Sequence, residues 1–216
     1  MRIGVLGAGN MADALGRQWV RAGHDVRFGA RTPAKAAALA RRVGGAGGGG
    51  LRDAAEFGEA VLLAVAHDGA MDALRDAGAA DGVLAGRVLI DCTNPMAPPF
   101  EALKTGGGPS AAHRVAGASG ARVVKAFTLC PDGVWRMTPP VFDGRPLGVP
   151  LCGDDADALE TVGGLVRDLG CVPMRGGSLA RAALLEAAAA FTVGLLAAGE
   201  DPSAMIPPAA SMGHPR

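Results

Sequence analysis

The residues able to do chemistry begin almost at the first position of the chain. Gly7-Ala8-Gly9-Asn10-Met11-Ala12 follows directly on the apolar run Arg2–Leu6. The pattern is G-x-G-x-x-A. Its first glycine permits a tight turn from strand to helix. Its second has no side chain to keep an anion off the backbone, and a small third residue lets helix and strand lie close. Free N–H groups and the positive dipole end of a helix starting near Asn10 would then face a pyrophosphate. Alone the motif is weak, but its surroundings are the ones that confirm it. A strand precedes it, residues 12–21 read as a helix ended by Gly23-His24, and a second strand, Asp25–Gly29, follows. Gly7, Ala8, Gly9, Asn10 and Met11 are the candidate dinucleotide contacts.

The end of the second strand selects the dinucleotide. An NAD site wants an acid there to accept from the ribose 2′-hydroxyl. This chain has Ala30, Arg31 and Thr32, with Lys35 one helical turn on. Arginine can hold a 2′-phosphate bidentately and a threonine hydroxyl adds a donor. The reading is NADP(H). Two later strand ends carry further polar groups. Residues 60–66 form an apolar run ending at Ala66-His67. His67 can donate a proton or cap the next helix, and capping is the expectation. Val88–Asp91 ends in Cys92-Thr93-Asn94-Pro95, where Thr93 and Asn94 can donate to a ribose or a carboxamide.

These groups need a scaffold, and the chain supplies strands alternating with helices. That pattern predicts an α/β fold with a doubly wound, Rossmann-type sheet, in which ligands bind beyond the carboxyl ends of the strands. Residues 34–42 read as a helix after Pro33. Residues 43–50, mostly glycine, read as a flexible loop. Residues 121–127 are a further strand, and 128–147 an irregular wall in which Trp135 and Met137 could face a flat ring or simply pack. A strand at 148–152, a helix capped at Gly153-Asp154-Asp155, a strand at 171–174 and a long apolar helix over 179–198, capped by Ser178, complete the chain; the tail after Gly199 reads as loosely ordered. The expected division is 1–127 as the NADP-binding domain and 128–216 as a smaller C-terminal α/β extension that covers the cleft and contributes to dimerisation. The apolar wrap of the last helix motivates a homodimer.

Composition narrows the classes. Lys+Arg and Asp+Glu are equal at 21 each, which gives no electrostatic footprint for nucleic acid or an anionic membrane. The most apolar helix is interrupted by Glu186, so no membrane span is expected. A strand starting at Arg2 leaves no room for a signal peptide, and a cytoplasmic protein is expected. Cys92, Cys130, Cys152 and Cys171 lack C-x-x-C spacing and read as free thiols, with no metal site. The absence of tyrosine excludes mechanisms that use it as proton donor.

Several segments together resemble the NADPH-dependent reductases of the deazaflavin coenzyme F420, the F420H2:NADP oxidoreductases; membrane ferric reductases of the six-helix type carry a similar cytosolic domain. The matching pieces are Gly7-x-Gly9-Asn10-Met11, Gly29-Ala30-Arg31, Leu63 to Ala66, Asp91 to Pro95, Val123 to Phe127, Cys152 to Asp155, and Gly177-Ser178-Leu179 with Glu186. The resemblance implies two coenzymes in one cleft, direct hydride transfer, and Ala126 and Phe127 beside the nicotinamide with backbone groups holding its carboxamide. After Phe127 the chain departs from the family, running Thr128-Leu129-Cys130-Pro131 along the wall that faces the second substrate. The expected activity is hydride transfer between NADPH and a small-molecule acceptor of the F420 type. The alternatives are a reductase of another acceptor (imine, carbonyl, ferric or flavin), with His67 or Thr128 as the only cheap proton donors, or a non-catalytic NADPH-binding protein.

Overall fold

A computed structural model of the protein describes residues 1–207 and 211–212. In chain order the elements are β1 (Arg2–Leu6), α1 (Asn10–Arg21), β2 (Asp25–Gly29), α2 (Pro33–Val43), β3 (Gly47–Gly49), α3 (Leu51–Phe57), β4 (Ala60–Leu63), α4 (Ala70–Asp76), β5 (Val88–Asp91), α5 (Ala111–Ser119), β6 (Arg122–Lys125), α6 (Asp132–Trp135), a hairpin of β7 (Val141–Phe142) and β8 (Arg145–Pro146), β9 (Gly148–Gly153), α7 (Ala156–Arg167), β10 (Val172–Gly177) and α8 (Ala182–Ala197).

Eight strands form one sheet in the order β10-β9-β6-β5-β4-β1-β2-β3. Neighbours run parallel except β6 and β9, which are antiparallel. The segment β3-β2-β1-β4-β5-β6 is the doubly wound order, and its direction of winding reverses between β1 and β4. The ligand crevice of such a sheet lies beyond the carboxyl ends of those two strands. β9 and β10 extend the same sheet from its β6 edge, so the C-terminal extension is built onto the dinucleotide-binding sheet.

The central strands are buried on both faces, which explains their unbroken apolar runs. One face carries Trp19 of α1, Phe28, Phe127, Trp135 and the apolar side of α7. The other carries Leu51, Leu74, Val115 and Leu185 from α3, α4, α5 and α8. In α1 the stripe Ala12, Leu15 and Trp19 is fully buried at helical spacing. Gly16 on the same helix has no room for a side chain, because a Cβ there would lie 2.6 Å from the Phe28 ring.

Several expectations are corrected. The glycine tract at 43–50 is not a loop throughout, since Gly47–Gly49 is the edge strand β3, parallel to β2. Its glycines admit α2 to close quarters: a Cβ on Gly48 would sit 2.3 Å from the backbone of Ala36. The last helix is broken at its start, a 3-10 turn over Leu179–Arg181 preceding α8. Ser178 does not cap it by its side chain; Asp154 Oδ1 accepts from the Leu179 N–H at 2.9 Å instead. Asp155 caps α7 as expected, accepting from the Ala158 N–H at 2.8 Å. The wall at 128–147 contains α6 and the β7–β8 hairpin. In the tail, Pro202–Met205 forms a 3-10 turn, and residues 208–210 and 213–216 lie outside the described residues. By length and apolarity alone, Leu179–Ala197 reaches the measure of a membrane span.

If β3 is a strand pressed against α2, Gly48→Ala should lower the unfolding free energy by about 1–3 kcal/mol, the usual cost of overpacking. Urea denaturation measures this, and an unchanged midpoint would return the tract to a loop.

Candidate functional site

The phosphate end is shaped by backbone. Gly7 has φ +138°, donates its N–H to Gly29 O at 2.8 Å, and a Cβ on it would lie 2.2 Å from the carbonyl oxygen of Ala64. No other residue type fits that turn. Gly9 is different, for its Cβ position has nothing within 4 Å. It stands at the N-cap of α1 with no side-chain capping bond, so the first-turn N–H groups point into that open space. This open cradle fits a pyrophosphate.

The specificity corner comes next. Beyond β2, the Ala30 N–H donates to Gly49 O at 3.1 Å, which directs the chain outward. Arg31 and Thr32 are exposed, and Thr32 stands at the N-cap of α2 with its hydroxyl unused for capping. Among the described residues, neither Arg31 nor Lys35 makes an ion pair. One cavity of about 380 Å³ joins Gly7, Gly9, Arg31, Thr32, Lys35 and Ala66, and no acidic residue lines it. The fold thus gathers the motif, the basic corner and the end of β4 around one cleft.

At the ends of β4, β5 and β6 lie three buried polar atoms without partners among the described residues: His67 Nδ1, Asn94 Oδ1 and Thr128 Oγ1. Asn94 Nδ2 donates to Thr128 O at 2.9 Å, tying two of these strand ends together. The Thr93 hydroxyl is spent inward, donating to Asp91 Oδ1 at 2.7 Å, and what Asn94 leaves over is an acceptor oxygen, so neither residue offers the donation expected of it. His67 does not cap α4 by its side chain; it opens a 3-10 turn, His67–Gly69, at whose N-cap stands Ala66. Burial pushes its imidazole below the ordinary histidine value, with Arg114 and Lys125 adding to that and the carboxylates of Asp68 and Asp91 opposing it.

The aromatic wall is an interior one. Phe127 has φ +60° and is 2% exposed, its ring edge-on to Trp19 at 6.0 Å and Trp135 at 5.3 Å. Trp135 is buried, and its indole N–H donates to Cys130 O at 3.0 Å. Trp135 packs and does not face a ligand, whereas Met137 is exposed. Ala126 is also fully buried and its N–H donates to Asp91 O at 3.1 Å, so neither side chain at 126–127 faces the cleft. Gln18 of α1 fixes the wall, its amide donating to Trp135 O at 3.0 Å and Met137 O at 2.8 Å. Arg136 adds an ion pair to Asp13.

Residues 2–95 match the family described as NADP oxidoreductase, coenzyme F420-dependent. The matched residues make up somewhat less than half of the chain. The match takes in the glycine turn, the Arg31 corner and the strand ends at Ala66 and Asn94. Metalloreductase STEAP3 of Rattus norvegicus is 31% identical over 189 residues, covering 86% of this chain and 36% of the rat protein. The chain therefore spans about a third of that relative's length. A candidate F420-dependent NADP reductase from Arthrobacter sp. FB24 superposes with TM-score 0.79 at 24% identity, covering 92% of this chain and 95% of that one. A hypothetical protein of Sinorhizobium meliloti gives TM-score 0.71 at 27% identity, with coverage of 84% and 87%.

Behind these strand ends the chain holds a charged cluster that the sequence reading missed. Lys125 ends β6 and is fully buried, with Nζ 3.0 Å from Asp91 Oδ2 and 3.1 Å from Glu186 Oε1. It also donates to Thr93 O. Burial pulls the ammonium's pKa down, and the two carboxylates overcome this, holding it above the ordinary lysine value. The signals were a lysine and an aspartate closing apolar strands and one glutamate in an otherwise apolar helix.

Removing the cation would strand two buried carboxylates, so Lys125→Met should cost about 3–5 kcal/mol. A lysine whose folded pKa lies above its unfolded value of 10.5 stabilises below that pH, and the contribution is lost as pH rises through the folded value. Chemical denaturation should show a loss of stability above pH 10.5 from this group, absent in Lys125→Met.

Proposed function

We propose that this chain is an NADP(H)-dependent oxidoreductase that passes a hydride directly between NADPH and a flat acceptor of the deazaflavin type, coenzyme F420. The observation that carries the reading is the unpaired basic corner of Arg31, Thr32 and Lys35 on the same cleft as the glycine cradle. A 2′-phosphate is the group that such a corner recognises, and a cleft without an acid does not repel it. The first-turn N–H groups of α1 receive the pyrophosphate.

Supporting the far end are Asn94 Oδ1, an acceptor, and the Thr128 hydroxyl, a donor. Together they complement a primary carboxamide, which offers N–H and C=O. When bound, the nicotinamide supplies or receives the hydride. What the protein adds is orientation, since hydride transfer between stacked rings draws much of its rate from being held in the reactive geometry. His67 lines a separate cavity with Asp68, Lys104 and Arg114 and not the one shared by the glycine cradle and the basic corner, which favours this reading over an imine or carbonyl reductase that relies on a side-chain acid. The family description names the acceptor, and the departure at Thr128 to Pro131 lies where that acceptor would sit.

A second copy of the chain is the partner we propose for α8. Leu184 and Phe191 are 61% and 59% exposed, and the only charged residue within the helix, Glu186, is turned inward. Sedimentation should give a homodimer at micromolar concentration, and a strict monomer would remove this part of the reading.

Arg31→Glu should weaken NADPH by about ten- to more than a hundredfold, the loss of a charge-assisted hydrogen bond of about 1.5–3 kcal/mol, and leave NADH nearly unchanged. Equal losses for both cofactors would show that Arg31 does not read the phosphate. With coenzyme F420 as acceptor, His67→Ala should lower kcat by less than the roughly hundredfold that accompanies loss of a general acid. A larger loss would favour the reductase with a proton-donating side chain.

A further inference from the structure

We infer that Glu186 of α8 is a positioning residue for the nicotinamide end of the cleft, holding the Asp91–Asn94 turn through Lys125. The inference rests on the reading of the cleft as an NADP(H) site. Glu186 is fully buried and its carboxylate takes N–H donors from two directions. Oε2 accepts from the Ala111 N–H at 3.0 Å and Oε1 from the Ala112 N–H at 3.1 Å, both at the start of α5. Oε1 also faces the Lys125 ammonium at 3.1 Å. A lysine ammonium has three N–H donors. Those of Lys125 face three acceptors: Glu186, Asp91 Oδ2 and the Thr93 carbonyl. The other oxygen of Asp91 then accepts both from the Thr93 N–H, at 2.9 Å, and from its hydroxyl, at 2.7 Å. The carbonyl, amide and hydroxyl of Thr93 are thus all fixed by one cluster. Asn94, which presents the unpartnered oxygen, is the next residue.

Stability alone does not account for this arrangement. A buried ion cluster costs desolvation, and apolar residues of similar volume are often as stable or more so. What charge supplies here is direction, because each donor has one acceptor and each acceptor is tied to the strand-end turn or to a helix that packs on it. The adenosine end, at Arg31 and Thr32, lies across β1 and β2 and makes no contact with the cluster. The two ends of the cleft should therefore respond separately.

The test uses the full chain, with Glu186→Gln as the variant. A glutamine keeps the shape but turns an NH2 group toward N–H donors that the carboxylate accepts. Titration with adenosine 2′,5′-bisphosphate reads the adenosine end alone, and hydrogen–deuterium exchange reads the turn without any turnover. The expected result is faster exchange at residues 91–95, unchanged exchange at residues 7–12, bisphosphate affinity within about twofold, and kcat with NADPH and coenzyme F420 lower by about ten- to a hundredfold. Uniformly faster exchange, unchanged exchange at 91–95, or equal losses at both ends would overturn the inference and leave Glu186 a structural group. If Glu186→Gln does not fold, Thr93→Val breaks the same chain at its far end and must give the same split; a Thr93→Val protein with wild-type kcat overturns it. Failure of the wild-type chain to bind either NADPH or the bisphosphate is a separate result that defeats the NADP(H) reading, while the exchange experiment still decides the positioning.

Discussion

The ammonium of Lys125 sits where β5, β6, α5 and α8 meet, and the open edge of the sheet is arranged around it. Placing a cation in a site with no water is costly, so every donor must be met by an acceptor. Asp91 comes from the neighbouring strand, the Thr93 carbonyl from the turn that follows it, and Glu186 from a helix 61 residues beyond Lys125. Glu186 meets the N–H groups at the start of α5 with the same carboxylate. One charge therefore fixes the distance of two helices from the sheet and the conformation of the strand end that faces the cleft. The apolar runs build the sheet, but they do not by themselves say where its carboxyl edge stops.

The N-terminal half was legible because its signals are local. Each of β1, the glycine turn, α1 and β2 is announced by adjacent residues whose steric demands are simple, and Gly7 shows how strict those demands are. The basic corner was legible for the same reason, since Arg31, Thr32 and Lys35 lie within one turn of a strand end. What escaped had no local signature. Gly47–Gly49 carries no side chains whose alternation could mark a strand, and its reason for being glycine is the backbone of Ala36, visible only in three dimensions. Trp135 in the irregular wall could have faced a ring or packed, and Phe127 was expected beside the nicotinamide, yet Trp135 is buried and a positive φ at Phe127 accompanies a ring set in the core. The three members of the charged cluster are dispersed along the chain, and Glu186 was noticed as an interruption in an apolar helix and as one of the matching residues, without its partners.

The cleft has two ends with different construction. The phosphate end is backbone and dipole, shaped by residues that must be small, and its specificity is added by exposed side chains at the corner of α2. The other end is made of side chains locked from behind, with Asn94 and Thr128 leaving one acceptor and one donor unspent. An arrangement of this kind holds a ring in place and relies on no strongly perturbed acid or base. The wall at 128–147 is pinned to α1 by Gln18 and Arg136, so the helix that follows the glycine turn also sets the position of that wall.

The central claim is that hydride moves directly from one ring to the other. It is tested most directly by a single anaerobic turnover of NADPH carrying deuterium at one face of C4 of its nicotinamide, with coenzyme F420 as acceptor. The account predicts that deuterium from one of the two C4 labels appears on the ring carbon of the reduced acceptor, and that unlabelled NADPH in heavy water leaves that carbon free of deuterium. Solvent deuterium at that carbon, or an acceptor that stays oxidised while NADPH is bound, would contradict it.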